Sequence, residues 1–350
     1  MITFRHPRAG RAARVALGLA AALSTTALGV AAAAPAAVPT AGGAARPTAS
    51  APAPDVRVVA ATHDEPCLAA SSAQRVRVGS ASDGADPNTL SLGQTEQAQD
   101  ASAARTQQRR VSAQHKLGKT TIPVYVHVIT TASGKGDVST ERIEKQISVL
   151  NKAYAGKTSK SSKKTPFRFE LEAVDRTARS DWYSWAPPTD TGVGDDVAPK
   201  TALHRGGFGD LNLYVAALED GVLGYSSFPW DTTLPRDGVV LLNSALPGGS
   251  AKGYDKGDTA THEVGHWLGL LHTFQNGCAK PGDLVSDTPY QADGDNIFSC
   301  SSKLNTCRSK GKDPVHNFMS YGDDKCLSRF TKGQVSRMSQ TWQLYRAAAG

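Results

Sequence analysis

Methionine occurs only three times in 350 residues and cysteine five times, and past residue 34 there is no long apolar run. That last absence excludes a membrane-spanning helix in the body of the chain, because a bilayer crossing needs about 20 consecutive apolar residues. No internal repeat is visible, and no basic stripe interleaved with aromatic residues. The net charge of +7 suggests nucleic acid only until it is located. Residues 1–117 hold 12 Lys/Arg against 7 Asp/Glu, whereas residues 118–350 hold 27 against 25. The larger part is nearly neutral, so nucleic-acid binding is not expected. The cluster Lys157, Lys160, Lys163 and Lys164 is mixed with Ser and Thr and reads as a solvated loop.

What is present begins with a leader. Arg5, Arg8, Arg11 and Arg14 precede an Ala/Leu/Val-rich run from Val15 to about Ala34, which ends in Ala32-Ala33-Ala34 before Pro35. A basic start, an apolar stretch and small residues at its end form a signal peptide, residues 1–34. Ser24, Thr25 and Thr26 interrupt the run and no basic cluster follows it, which argues against an anchor. The protein is expected to be secreted and free of the membrane after cleavage. Residues 35–117 are rich in Ala, Ser, Gln, Pro and Gly, a composition that buries little surface and tends toward disorder or a loose wrap. They read as a prosegment, with Arg105, Arg109 and Arg110 as a processing region.

Order is expected from near Thr120, in a domain covering residues 118–350. Ile122, Val124, Val126 and Val128 alternate as in a half-buried strand. Ile143, Ile147, Leu150 and Tyr154 share one helical face. Phe167 to Ala173, Leu211 to Val215, residues 222–228 and residues 238–242 read as further strands. A long helix follows from about Thr259, then an irregular stretch over 275–328, then a helix from about Thr331 to Ala347. This order predicts an α/β layer design. Four cysteines, Cys278, Cys300, Cys307 and Cys326, suggest two disulfides in an exported protein, with three pairings open; Cys67 stands alone upstream.

The chemistry sits in residues 262–272, His-Glu-Val-Gly-His-Trp-Leu-Gly-Leu-Leu-His. On a helix, His262 and His266 fall on one face a turn apart, a spacing that lets both imidazoles reach one zinc ion at about 2.0–2.1 Å. Gly269 can take a positive φ and turn the chain so that His272 returns as a third ligand. Three neutral ligands leave a place for water, as in catalytic rather than structural zinc sites. Glu263, beside the first ligand, is placed to act as a base. Val264, Trp267, Leu268, Leu270 and Leu271 supply the apolar side.

This eleven-residue pattern resembles that of the metzincin metallopeptidases. Asn317-Phe318-Met319-Ser320-Tyr321 fits their methionine turn. The continuation His272-Thr273-Phe274, Asp287-Thr288-Pro289 and the four cysteines make the pappalysin family the closest resemblance, over roughly residues 120–346. The resemblance implies a metzincin-type catalytic domain. A twisted mixed sheet would carry the zinc helix above the cleft, over an irregular disulfide-bonded lower subdomain with a C-terminal helix. It further implies that the chain is a zinc endopeptidase acting on protein or peptide substrates. Met319 would lie beneath the metal, and the Tyr321 hydroxyl would stabilise the oxyanion. Disulfides Cys278–Cys307 and Cys300–Cys326 are implied. So is calcium near Asp283 and Asp287, with backbone carbonyls such as those of Val285 and Thr288. Cys67 resembles a switch cysteine that would bind the zinc of the latent form, making the prosegment the enzyme's own inhibitor. Asp324 falls where the family's primed-side pocket wall lies, and an acid there would favour Arg or Lys after the scissile bond. The strand around Gly224-Tyr225-Ser226-Ser227 would line the cleft and pair with a peptide. A zinc hydrolase of another bond type and a non-catalytic secreted zinc-containing binding protein remain alternatives. Intact Glu263 weighs against the second. Nothing in the sequence requires more than a monomer.

Overall fold

The computed structural model describes residues 72–76, 90–109, 117–186 and 194–347, all within one unit, Asp64–Gly350. The leader and Cys67 lie outside the described residues. In chain order the elements are β1 (Ser72–Val76), α1 (Leu92–Arg109), β2 (Thr120–Thr130), α2 (Thr140–Tyr154), β3 (Phe167–Ala178) and β4 (Ser184–Trp185). There follow α3 (Val197–Leu203), β5 (Leu211–Leu218), β6 (Val222–Ser227), β7 (Val239–Leu242), α4 (Asp258–Trp267) and α5 (Lys332–Thr341). A π-helical turn, Trp342–Arg346, continues α5.

The sheet runs β1-β6-β7-β5-β2-β3, with β4 beside β5. The pairs β3/β2, β2/β5 and β5/β7 are parallel, whereas β7/β6 and β6/β1 are antiparallel. The mixed sheet therefore matches the expected α/β design. Alternation in β2 turns Ile122, Val124, Val126 and Val128 onto one face, where they meet Ile143, Ile147 and Leu150 of α2 and Val264 and Trp267 of α4 in one apolar core. Ser139 caps α2 by accepting from the Arg142 N–H. The buried side of α2 also orients α4: Gln146 Nε2 donates to Gly257 O at 2.9 Å, and Tyr154 Oη donates to Thr261 O at 3.1 Å.

Three features differ from the sequence-based expectation. The helix bearing the histidines is ten residues long, Asp258–Trp267, rather than a long one. It lies between the Gly257 turn at φ 96° and the Gly269 turn at φ 89°. The segment expected to be loose contains β1 and the 18-residue α1. Both are polar, so their composition hides them; they are held by partners elsewhere in the chain. Ser102 Oγ lies 3.2 Å from Tyr345 Oη, Arg105 stacks over the Tyr345 ring, and Gln275 Nε2 donates to Leu90 O and to Thr95 Oγ1. Finally, β6, expected to be open to a peptide, is covered by β1.

Below the sheet the chain is mostly irregular, as expected, and is crossed by disulfides Cys278–Cys307 and Cys300–Cys326. Among the described residues no helix is long and apolar enough to cross a membrane.

Candidate metal centre and substrate cleft

Helix α4 carries His262, Glu263 and His266, all fully buried; the two histidines, four residues apart, share one face, and His262 meets residues 318 and 321 there. The first two histidines are fixed through their second nitrogen. His262 Nδ1 donates to Phe318 O at 2.6 Å, and His266 Nδ1 donates to Leu270 O at 2.7 Å. A carbonyl can only accept, so each neutral ring keeps its Nε2 lone pair free. The chain reverses at Gly269, where a Cβ would also come within 2.6 Å of Thr341 Cγ2. His272 then returns, stacked flat on Phe274 with ring centroids 4.7 Å apart.

The three Nε2 atoms converge: His266 Nε2 lies 3.0 Å from that of His262 and 3.1 Å from that of His272. Burial pushes all three histidines well below the ordinary imidazole value, His272 to about 3, and mutual repulsion adds to this for His262 and His266. Three neutral, lone-pair-bearing nitrogens crowded together in a dry site repel one another unless a cation lies between them. A tetrahedral zinc holding nitrogens at about 2.0–2.1 Å would set them roughly 3.3 Å apart. The residues present therefore fit zinc. A second cluster, Cys300, His316 and Cys326, has its sulfurs consumed in a disulfide.

Beneath the helix lies the turn 317–321. Gly265 packs so closely on Met319 that a Cβ there would strike its Sδ. The turn is held by a reciprocal amide pair: Asn317 Nδ2 donates to Gln334 Oε1 at 2.9 Å, and Gln334 Nε2 donates to Asn317 Oδ1 at 3.0 Å. Asn317 Oδ1 also accepts from the Met319 N–H. Sequence reasoning missed this bracket, although Thr331-x-x-Gln334, a capping box on α5, was there to be seen. Tyr321 is buried, its ring edge-on to His272 at 4.8 Å and 5.7 Å from His262. Above α4, Gly224 of β6 leaves no room for a side chain. Its Cβ would lie 3.1 Å from Glu263 Cγ and 3.0 Å from Thr259 Cγ2. The strand thus rests on the helix beside the glutamate.

Asp324 is buried, not a surface turn residue. Its Oδ2 accepts from the Lys256 N–H at 2.8 Å, and its Oδ1 lies 3.2 Å from Arg75 of β1, with both side chains fully enclosed. Arg75 was not singled out in the sequence, where one arginine in a polar segment carries no signal. Asp258 lies in the same region. Burial and the charge of Asp324 push it up to about 8, against the opposing pull of Arg75. Asp323 instead pairs with Lys325 at the surface. Asp283 is buried and its Oδ1 accepts from the Val285 N–H; burial pushes it up to about 7. Asp287 is engaged at the start of α5, accepting from Thr331 Oγ1 at 2.7 Å and from the Gly333 N–H at 2.9 Å.

Residues 206–343 match the family described as Pregnancy-associated plasma protein-A. An extracellular metalloprotease of Coccidioides posadasii is 40% identical over 233 residues, covering 65% of this chain and 78% of that protein. One from Arthroderma benhamiae is 40% identical over 235 residues, covering 65% and 74%. Among solved structures, a mutant of promirolysin from Tannerella forsythia aligns with a TM-score of 0.57 at 26% identity, over 73% of this chain and 91% of that one. Mature mirolysin in complex with a cleaved peptide aligns with a TM-score of 0.51 at 29% identity, over 63% and 91%. The sheet, the three converging histidines and these relatives agree: the chain belongs to the pappalysin family of metzincins and is an extracellular zinc metalloendopeptidase.

Proposed function

We propose that this protein hydrolyses peptide bonds with Glu263 as general base, and that it favours Arg or Lys immediately after the cut. The observation that carries this reading is the convergence of three Nε2 atoms, those of His262 and His272 at 3.0 and 3.1 Å from that of His266, with Glu263 on the same buried helix. Zinc bound by His262, His266 and His272 would polarise the scissile carbonyl and acidify the attacking water. The Glu263 carboxylate takes that water's proton and passes it to the leaving nitrogen. The Tyr321 hydroxyl donates to the carbonyl oxygen as it gains charge. Strand β6 aligns the peptide by adding it to the sheet. The enclosed Asp324 carboxylate supports the preference for a basic side chain, since a buried acid requires a cation beside it.

Residues 1–34 act as the signal peptide and 35–117 as an inhibitory prosegment removed from the 118–350 catalytic domain; the pairing of β1 with β6 supports the inhibitory role. The enzyme acts as a monomer. Calcium would be held at Asp283, whose buried carboxylate calls for a cation; Asp287 would have to share it with its bonds to α5. In the latent form Cys67 would be a further zinc ligand.

Cleavage-site mapping by mass spectrometry tests the reading. A matured wild-type enzyme and its Glu263→Ala variant are each given a broad peptide mixture, with zinc content measured. New termini enriched for Arg or Lys after the cut, lost in a variant that still holds zinc, are expected. Equal cleavage by the variant would remove Glu263 as the base.

A further inference from the structure

Strand β1 lies antiparallel on β6 with Arg75 opposite Gly224, the glycine that rests on Glu263 and Thr259. Its backbone therefore runs one strand spacing from the strand above the glutamate, along the line a peptide would take when added to the sheet. From there the Arg75 side chain sinks completely out of solvent. One terminal nitrogen donates to Gly322 O at 2.7 Å and lies 3.2 Å from Asp324 Oδ1. The other donates to Thr259 Oγ1 at 3.3 Å, and the guanidinium lies 5.2 Å from the centre of the Tyr254 ring.

We propose that the chain fills the pocket closed by Asp324 with its own Arg75, and that this plug keeps the enzyme silent. The inference rests on the reading of Asp324 as the specificity pocket and names its internal occupant. Acceptors stand on two sides of the guanidinium: Gly322 O and Asp324 on one, the Thr259 hydroxyl on the other. A planar fork reaches both, whereas the single ammonium of a lysine offers its donors at one point. The ring of Tyr254 suits a flat, delocalised cation. Because Arg75 is tethered, its effective concentration at the pocket is that of an intramolecular ligand, on the order of millimolar. Substrate must displace both the strand and its arginine. Autoinhibition by this route needs no contact with the metal, so it is separable from any contribution of Cys67.

The test uses the full-length, zinc-loaded chain, shown intact by mass spectrometry, with fluorogenic peptides carrying Arg, Lys or Ala after the scissile bond. Arg75→Ala should raise hydrolysis of the Arg peptide about tenfold or more over wild type. Arg75→Lys, which keeps charge and length, should release less. A synthetic peptide of residues 70–80 should silence the Arg75→Ala chain again, and the same peptide with alanine for the arginine should not. Thermal melting separates release from misfolding, since a released enzyme remains folded. Wild-type-like silence of a folded Arg75→Ala chain, or equal silencing by both peptides, overturns the proposal. If the released enzyme cuts the Ala peptide as fast as the Arg peptide, it is the specificity reading of Asp324 that fails.

Discussion

Replacing Arg346 by methionine should unseat the end of the zinc helix without touching the cleft. Arg346 is fully buried, and its guanidinium meets Asp237 through two nitrogens, at 2.6 and 3.0 Å. It stacks 3.7 Å from the centre of the Trp267 ring and donates to Trp267 O at 2.7 Å. Asp237 in turn accepts from Trp267 Nε1 at 2.9 Å and from Ser227 Oγ at 2.8 Å. One ion pair thus joins the C-terminal turn, the last residue of α4 and the end of β6. Burial pulls Arg346 below its ordinary value while Asp237 pulls it back, so the partner offsets much of what burying the charge costs. Methionine keeps much of the volume but leaves Asp237 buried without its cation. Removing one member of a buried pair costs about 3–5 kcal/mol. In a domain of this size each kcal/mol moves Tm by about 2–4 °C, so a drop of about 6–20 °C is expected by calorimetry. The double variant Arg346→Met, Asp237→Asn should recover part of it, because no isolated charge is left. A single-variant drop below about 3 °C would refute the reasoning.

Gly265→Ala should gain up to about 1 kcal/mol of helix propensity and lose more to collision with Met319, for a net loss of about 1–2 kcal/mol. A zinc titration should show weakened binding, and Met319→Ala in the same chain should restore it. Asp283, at about 7 in the fold against about 3.9 unfolded, makes the native state bind more protons than the unfolded chain between these values. Stability from this group is therefore complete below about pH 4 and lost as pH rises to 7. Calcium should raise Tm more at pH 8 than at pH 5, and Asp283→Asn should abolish both the pH trend and the calcium response.

Strongly periodic segments were legible in the sequence because both pattern and burial obey them. Ile122 to Val128, the Ile143 to Tyr154 face and the paired histidines all fall where their spacing requires. Elements held by polar partners were not. Strand β1 reads Ser-Ala-Gln-Arg-Val and α1 has few apolar residues, so neither carries a period. Their order comes from contacts more than 170 residues away, such as Gln275 with Leu90 and Arg75 with Asp324. The amide bracket of Asn317 and Gln334 is half legible: Thr331-x-x-Gln334 marks the start of α5, but two uncharged side chains reveal their pairing only when the fold brings them together.

The covering of β6 by β1 also bears on how the protein survives its own synthesis. An open strand edge presents a row of unpaired amide and carbonyl groups, and it pairs with any extended chain that passes, including another copy of itself. A protease that aligns its substrates along such an edge cannot guard it with charges or prolines without losing the ability to bind them. Five residues of its own N-terminal segment, Ser72–Val76, pair with it instead and leave only a short, polar strand at that margin of the sheet. The parallel pairs among β2, β3, β5 and β7 are intrinsically slow to form and leave the folding chain exposed to aggregation. With β1 in place, the β6 edge is no longer offered to a second copy of the chain.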